Sequence, residues 1–241
     1  MSRTLTQLLD VRSGVTALVG AGGKTTAMLT LAEELARAGR RVIVTTTTHI
    51  FPPDAGRYGP VFSPEDTAGI ATALDRTGLA VATGPLDERG KLTGVSDAQV
   101  EGLLELAKYV LVEADGSRRL PCKTPGDREP ALPVKTELVV GVLGLKSLNH
   151  PLEAVCFRAG LAARRLGVEP ENPVTPELLA RLAAEPWGLT KATEGRRFVI
   201  LLNQSDVCDP AQLCRVVQAV KETSGAPVVS AALQKREWKE E

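Results

Sequence analysis

Val19-Gly20-Ala21-Gly22-Gly23-Lys24-Thr25-Thr26 is the stretch that decides the fold. It follows an apolar run containing Val15, Ala17 and Leu18, and it opens a helical pattern that continues to Ala38. A strand, a glycine-rich turn and a helix N-terminus in that order make a phosphate-binding loop. The glycines admit backbone conformations that let several N–H groups converge on one anion. The helix start adds its own unpaired N–H groups and the positive end of its dipole. Lys24 suits the outer phosphates of a nucleotide, the Thr25 hydroxyl suits a magnesium ion, and Ala21 and Thr26 fall within the same cradle. The full pattern G-x-x-x-x-G-K-[ST] would place glycine where Leu18 stands, which leaves the shorter form G-x-x-G-K-T-T.

Around this loop, apolar β-branched runs alternate with helical patterns. Strands are expected at 41–46, 79–83, 109–113, 138–142, 198–202 and 227–230. Helices are expected at 24–38, 65–75, 97–107, 152–166, 175–184 and 210–223, the last with Asp209 as N-cap and Pro210 at the first helical position. Near-continuous apolar strands are buried on both faces, as in a parallel sheet covered by helices. The expected fold is α/β, a three-layer P-loop NTPase-like domain with a mainly parallel central sheet. It takes in residues 1–241 as one domain, with room for a small helical insertion within 145–195. Two proline-rich stretches, 50–64 and 116–136, interrupt the alternation as long loops of the kind that carry function.

Composition narrows the class. The 29 basic and 29 acidic residues cancel, so no global charge draws the chain to nucleic acid or an anionic membrane. No apolar run approaches the roughly 20 residues that span a bilayer, and no signal peptide opens the chain, so a cytoplasmic location is expected. Cys122, Cys156, Cys208 and Cys214 form no C-x-x-C pair, which argues against a zinc site or a disulfide framework.

The strand at 109–113 runs into Glu113-Ala-Asp115-Gly-Ser117, carboxylates at the edge of a parallel sheet where ligands sit. Two carboxylates about 6 Å apart repel by about 2–3 kcal/mol at an effective dielectric of 20. A divalent cation reverses that sign, so Glu113 and Asp115 are candidate metal residues beside magnesium. Further on, Asn203-Gln-Ser-Asp206 follows a strand in the N-x-x-D pattern that reads a guanine base in GTPases: Asp206 would accept from the base and Asn203 would brace the loops. Ser230-Ala-Ala232 resembles the segment that closes over the base in the same proteins. Gln204 stands where those proteins carry lysine, and ATP and GTP both stay open.

Two loops offer further chemistry. Thr45–Thr48 and His49 end the second strand, where hydroxyls could touch phosphate or magnesium and His49 could donate to phosphate or act as a base. Arg118, Arg119 and Lys123 crowd the loop after the carboxylates and suit an anionic second substrate. Neighbouring positive charge would favour thiolate at Cys122.

With these residues placed, two resemblances emerge. GAGGKTT, Glu113-x-x-Gly116, NQSD and SAA in that order resemble the metallochaperone branch of P-loop GTPases, accessory proteins for urease, hydrogenase and cobalamin enzymes. The closer resemblance is to the YqeC family. It rests on VGAGGKTT, on Val44-Thr-Thr-Thr-Thr-His49 and on Glu113-Ala-Asp-Gly-Ser-Arg-Arg-Leu-Pro-Cys-Lys-Thr-Pro125 with Glu129-Pro130 beyond. It implies an accessory role in maturing the selenium- or molybdenum-containing cofactor of a hydroxylase. The implied cofactors are Mg2+ with ATP or GTP. The implied partners are a selenium or molybdenum oxyanion or a pterin, and a hydroxylase apoenzyme. In that reading Lys24, Glu113 and His49 are catalytic and Thr25, Glu113 and Asp115 hold metal. The alternative is a small-molecule kinase or ATP-dependent ligase acting on an anionic substrate.

Overall fold

The computed structural model describes residues 3–241. Their contacts gather into two compact units. The first comprises the stretch ending at Leu18 with Ala27–Gly116 and Ala131–Leu138; the second comprises Val19–Thr26, Ser117–Pro130 and Val139–Glu241.

The first unit draws on α1 (Leu5–Leu8), β1 (Gly14–Gly20), α2 (Lys24–Arg37), β2 (Val42–Thr46), α3 (Ala55–Tyr58), β3 (Val61–Phe62), α4 (Thr67–Thr77), β4 (Leu79–Ala82), α5 (Asp97–Leu106) and β5 (Tyr109–Glu113). Its strands lie in the order β1-β5-β2-β4-β3, and all their pairings are parallel. One parity of side chains, Val15, Ile43, Ala80, Ala82, Val110 and Val112, packs with Ile70 and Leu74 of α4 and Val100 and Leu103 of α5. The opposite parity is buried as well, as Val42, Val44 and Leu111 show, so the central strands β2 and β5 are buried on both faces. Each such Val, Leu or Ile contributes about 1.5–3 kcal/mol by leaving water. α5 starts at a reciprocal cap in which Ser96 accepts from the Gln99 N–H and Gln99 accepts from the Ser96 N–H.

The second unit contains β6 (Cys122–Lys123), part of β7 (Thr136–Gly144), α6 (Leu152–Val155), β8 (Cys156–Phe157), α7 (Ala159–Leu166), α8 (Pro176–Ala184), β9 (Arg197–Asn203), α9 (Pro210–Ser224), β10 (Val228–Ala232) and β11 (Glu237–Glu240). Its larger strands lie in the order β11-β10-β9-β7, with β9 and β10 parallel and β11 antiparallel to β10. Ile200 and Leu202 of β9 share a core with Leu179 and Leu182 of α8 and Val216 and Val220 of α9. α9 begins as its sequence requires: the Asp209 carboxylate accepts from the Gln212 N–H at 2.8 Å, Pro210 follows, and Gly225 closes the helix in the left-handed region.

One expected helix is broken. The helical spacing over 152–166 is real, yet Cys156–Phe157 is extended and pairs with Cys122–Lys123 as a separate two-stranded parallel sheet. Arg158 then takes φ 65°, which no helix accommodates, and the chain restarts as α7. The expected long loops also hold short elements, α3 and β3 in one and β6 in the other. Among the described residues, no helix is long and apolar enough to cross a membrane.

Candidate functional site

The Gly20–Thr26 loop, the candidate phosphate site, lies in the second unit. β1 continues to Gly20, so Leu18 is still a strand residue, buried and in register with Glu113. That explains why leucine is accepted where the longer motif has a turn glycine. The turn begins later, and there glycine is obligatory. Gly22 sits at φ 83°, where a Cβ would strike the backbone of Gly144, and Gly23 sits at φ 131°, where it would strike the Asn203 amide. Lys24 is buried, and its ammonium donates to the Gly20 carbonyl at 2.6 Å. Thr25 and Thr26 open α2 immediately behind it.

Side chains and carbonyls from distant parts of the unit hold this loop. The Ala21 N–H donates to the Val142 carbonyl at 2.8 Å, and the Gly22 N–H to the Leu120 carbonyl at 3.2 Å. The buried Asn203 amide donates to the Gly22 carbonyl at 2.7 Å, while its oxygen accepts from the Leu233 N–H at 3.2 Å. Asn203 therefore ties three segments together: the phosphate loop, the end of β9 and the turn after β10. Asp206 follows in a single 3-10 turn, with its carboxylate 3.2 Å from the ammonium of Lys235. The N-x-x-D turn and the segment after β10, 25 or more residues apart in sequence, are thus brought together.

Ser230 lies elsewhere than the base-closing reading would put it. It is a mid-strand residue of β10, buried, and its hydroxyl donates to Glu241 at 2.5 Å. The main-chain N–H of Leu233, three residues on, is what meets Asn203. Gln204 adopts φ 67° and accepts from the Lys146 N–H at 3.3 Å, so the residue standing in place of lysine braces a neighbouring turn.

The first unit holds the carboxylates. Glu113 and Asp115 are buried at the end of β5, with Thr45 and Thr46 buried beside them at the end of β2. The Thr46 hydroxyl donates to the Glu113 carbonyl at 2.8 Å, and the Thr47 hydroxyl to the Ala131 carbonyl at 2.6 Å. Thr45 differs: its buried hydroxyl has no hydrogen-bond partner. Two carboxylates with hydroxyls nearby are an all-oxygen donor set, which fits a hard cation such as magnesium. Among the described residues no three His, Cys, Asp or Glu side chains gather into a metal cluster. His49 is exposed, 3.8 Å from Asp87.

The basic loop of the second unit divides. Arg118 and Arg119 are exposed and both adopt positive φ, and the Arg118 guanidinium lies over the Phe157 ring. Lys123 is fully buried, and its ammonium meets Glu129 at 2.7 Å. Arg158 forks onto the same carboxylate at 2.6 and 3.0 Å. Burial would raise the Glu129 pKa, but these hydrogen bonds and charges override it and hold the carboxyl down to about 2. In the sequence Glu129 stands out only through Glu129-Pro130, and Arg158 carries no local motif, so their pairing with Lys123 comes from the fold.

Cys122 corrects an expectation. Its thiol is pushed well above the ordinary range, first by the hydrogen bond it shares with Cys156 and then by burial. Cys156 is the sulfur shifted toward thiolate, by that same hydrogen bond and by Thr124 and Lys123. Cys156 lies 34 positions away with no local motif, so only the β6–β8 pairing reveals it.

Comparison with known proteins places the chain. The sequence profile of the YqeC protein family matches residues 16–160. An uncharacterised protein YqeC of Escherichia coli strain K12 is 32% identical over 205 residues, covering 83% of this chain and 79% of that protein. Among solved structures, chloroplast FtsY from Physcomitrella patens superposes with a TM-score of 0.45 at 17% identity. It covers 95% of this chain, which spans 62% of that one.

Proposed function

This chain belongs to the YqeC family, and we propose from that premise that it is a magnesium-dependent nucleotide-binding accessory protein that hydrolyses ATP or GTP. The observation that carries the reading is the Asn203 side chain, which donates to the phosphate loop at Gly22 and accepts from the turn after β10. An asparagine in N-x-x-D would brace a nucleotide site in this way. The glycines, Ala21, Lys24, Thr25 and Thr26 would bind the phosphates, and Asp206 would face the base. Thr25, Glu113 and Asp115 would hold magnesium, whose charge would offset that of the phosphates. Glu113 would orient the attacking water, and His49 would donate to the outer phosphate. Arg118 and Arg119 would receive an anionic second ligand, with Lys123 supporting their loop from beneath through Glu129. An oxyanion of selenium or molybdenum or a pterin phosphate suits that site, in the service of a hydroxylase apoenzyme.

The test is a titration of ATP and GTP with magnesium against the purified chain. Lys24→Ala is expected to abolish binding. Asn203→Ala should weaken it about tenfold, because the lost brace leaves buried groups unpaired at roughly 1–3 kcal/mol. Nucleotide affinity unchanged in both variants would overturn the reading. Phosphoryl transfer to a small molecule, in place of release of phosphate, would move the chain to the kinases or ligases.

A further inference from the structure

Cys122 and Cys156 are directly opposed in the β6–β8 ladder, and both are buried. Opposed residues in a ladder stand about 4.8 Å apart, inside the Cα window that a disulfide accepts. Both thiols reach main-chain carbonyls, Cys122 that of Val155 at 3.3 Å and Cys156 that of Phe157 at 3.6 Å, and the nearby charge of Lys123 helps to lower the pKa of Cys156. The pair also adjoins the phosphate loop. Leu120 and Pro121 immediately precede Cys122; the Leu120 carbonyl accepts from the Gly22 N–H, and the Pro121 carbonyl accepts from the Gly144 N–H at 2.8 Å. A Cβ on Gly22 would touch both Gly144 and the Pro121 carbonyl, so there is no slack between them.

We propose that Cys122 and Cys156 form a redox-active dithiol that a hydroperoxide closes to a disulfide, and that closure loosens the hold of Leu120 on the phosphate loop. The Cys156 thiolate attacks one oxygen of hydrogen peroxide; the S–O bond forms, the O–O bond breaks and hydroxide leaves, to be protonated by solvent. The Cys122 sulfur then attacks the Cys156 sulfenic acid. The S–S bond forms, the S–O bond breaks, and the departing hydroxide takes the Cys122 proton as water. Two electrons leave the two sulfurs and one peroxide becomes two waters. Drawing Cys122 toward Cys156 displaces the two residues before it, whose carbonyls are the ones holding Gly22 and Gly144.

The experiment uses the reduced chain of residues 1–241 and its Cys208→Ser/Cys214→Ser variant, each exposed to hydrogen peroxide, alkylated after unfolding and mapped by mass spectrometry. The expected product joins the peptides carrying Cys122 and Cys156 with the loss of two hydrogens, and it is absent from Cys122→Ser and Cys156→Ser. Both thiols still alkylated, at doses that oxidise the exposed Cys214 of the unsubstituted chain, would overturn the pair. Hydrogen exchange at Gly22 reads the coupling without any nucleotide. About a tenfold faster exchange on oxidation is expected, in the range of coupled sites, and none in Cys122→Ser. A disulfide formed with exchange at Gly22 unchanged would overturn the link to the loop.

Discussion

Glu129 shows at the scale of one residue how a basic loop becomes structure. Lys123 has no exposed surface and Arg158 forks onto the same carboxylate, so Glu129 balances two cations. Removing one partner of a buried pair is far costlier than the pair is worth, because the remaining charge stays out of water. Glu129→Gln should therefore lower the unfolding free energy by roughly 3 kcal/mol, read from urea titration. The pH dependence has a definite sign. The folded-state pKa of about 2 lies below the ordinary 4.5, so the stabilisation is complete above about pH 4.5 and is lost as pH falls toward 2. The stability of the unsubstituted chain should fall across that interval more steeply than that of Glu129→Gln. Parallel slopes would show that the carboxylate carries no such linkage.

At the scale of elements, what the sequence disclosed depended on range. Asp209-Pro210 carries a local signal, a side chain that caps and a ring that cannot continue a helix backward, and α9 starts there. Asp209→Ala should cost about 1 kcal/mol, and Asp209→Asn much less, because only the acceptor for the Gln212 N–H matters. A midpoint of denaturation unmoved by the alanine would refute the cap. The strand-loop-helix at Gly20–Thr26 was legible for the same reason, since its glycines, lysine and threonines are contiguous. β6 and β8 were not. Each is two residues long, and the spacing around Cys156 and Phe157 reads as helix. Only pairing across more than 30 positions, together with a left-handed Arg158, makes them strands. The candidate site divides in the same way. Lys24, Asn203 and Asp206 were readable from motifs, whereas the carbonyls of Leu120 and Val142, the N–H of Leu233 and the carboxylate of Glu129 belong to contacts that no motif encodes.

For the whole molecule the question is whether the two compact units unfold as one. The chain passes from one to the other inside β1, α2 and β7, because each of these elements contributes residues to both. A break between the units would have to interrupt two strands and a helix in mid-course, leaving backbone N–H and C=O groups without partners at each. That cost favours a single cooperative transition. The probes separate the possibilities. Both tryptophans, Trp187 and Trp238, belong to the second unit, while far-UV circular dichroism averages the helices and strands of both. Urea unfolding followed by the two signals should give superimposable curves with one midpoint. A fluorescence transition displaced from the dichroism transition would show that the second unit melts on its own. Magnesium with the bound nucleotide should then raise both midpoints together, for a gain of about 2.7 kcal/mol in unfolding free energy at a hundredfold excess over the dissociation constant. If only the fluorescence curve moved, the stabilisation would be confined to the second unit, which holds the Gly20–Thr26 loop and both tryptophans.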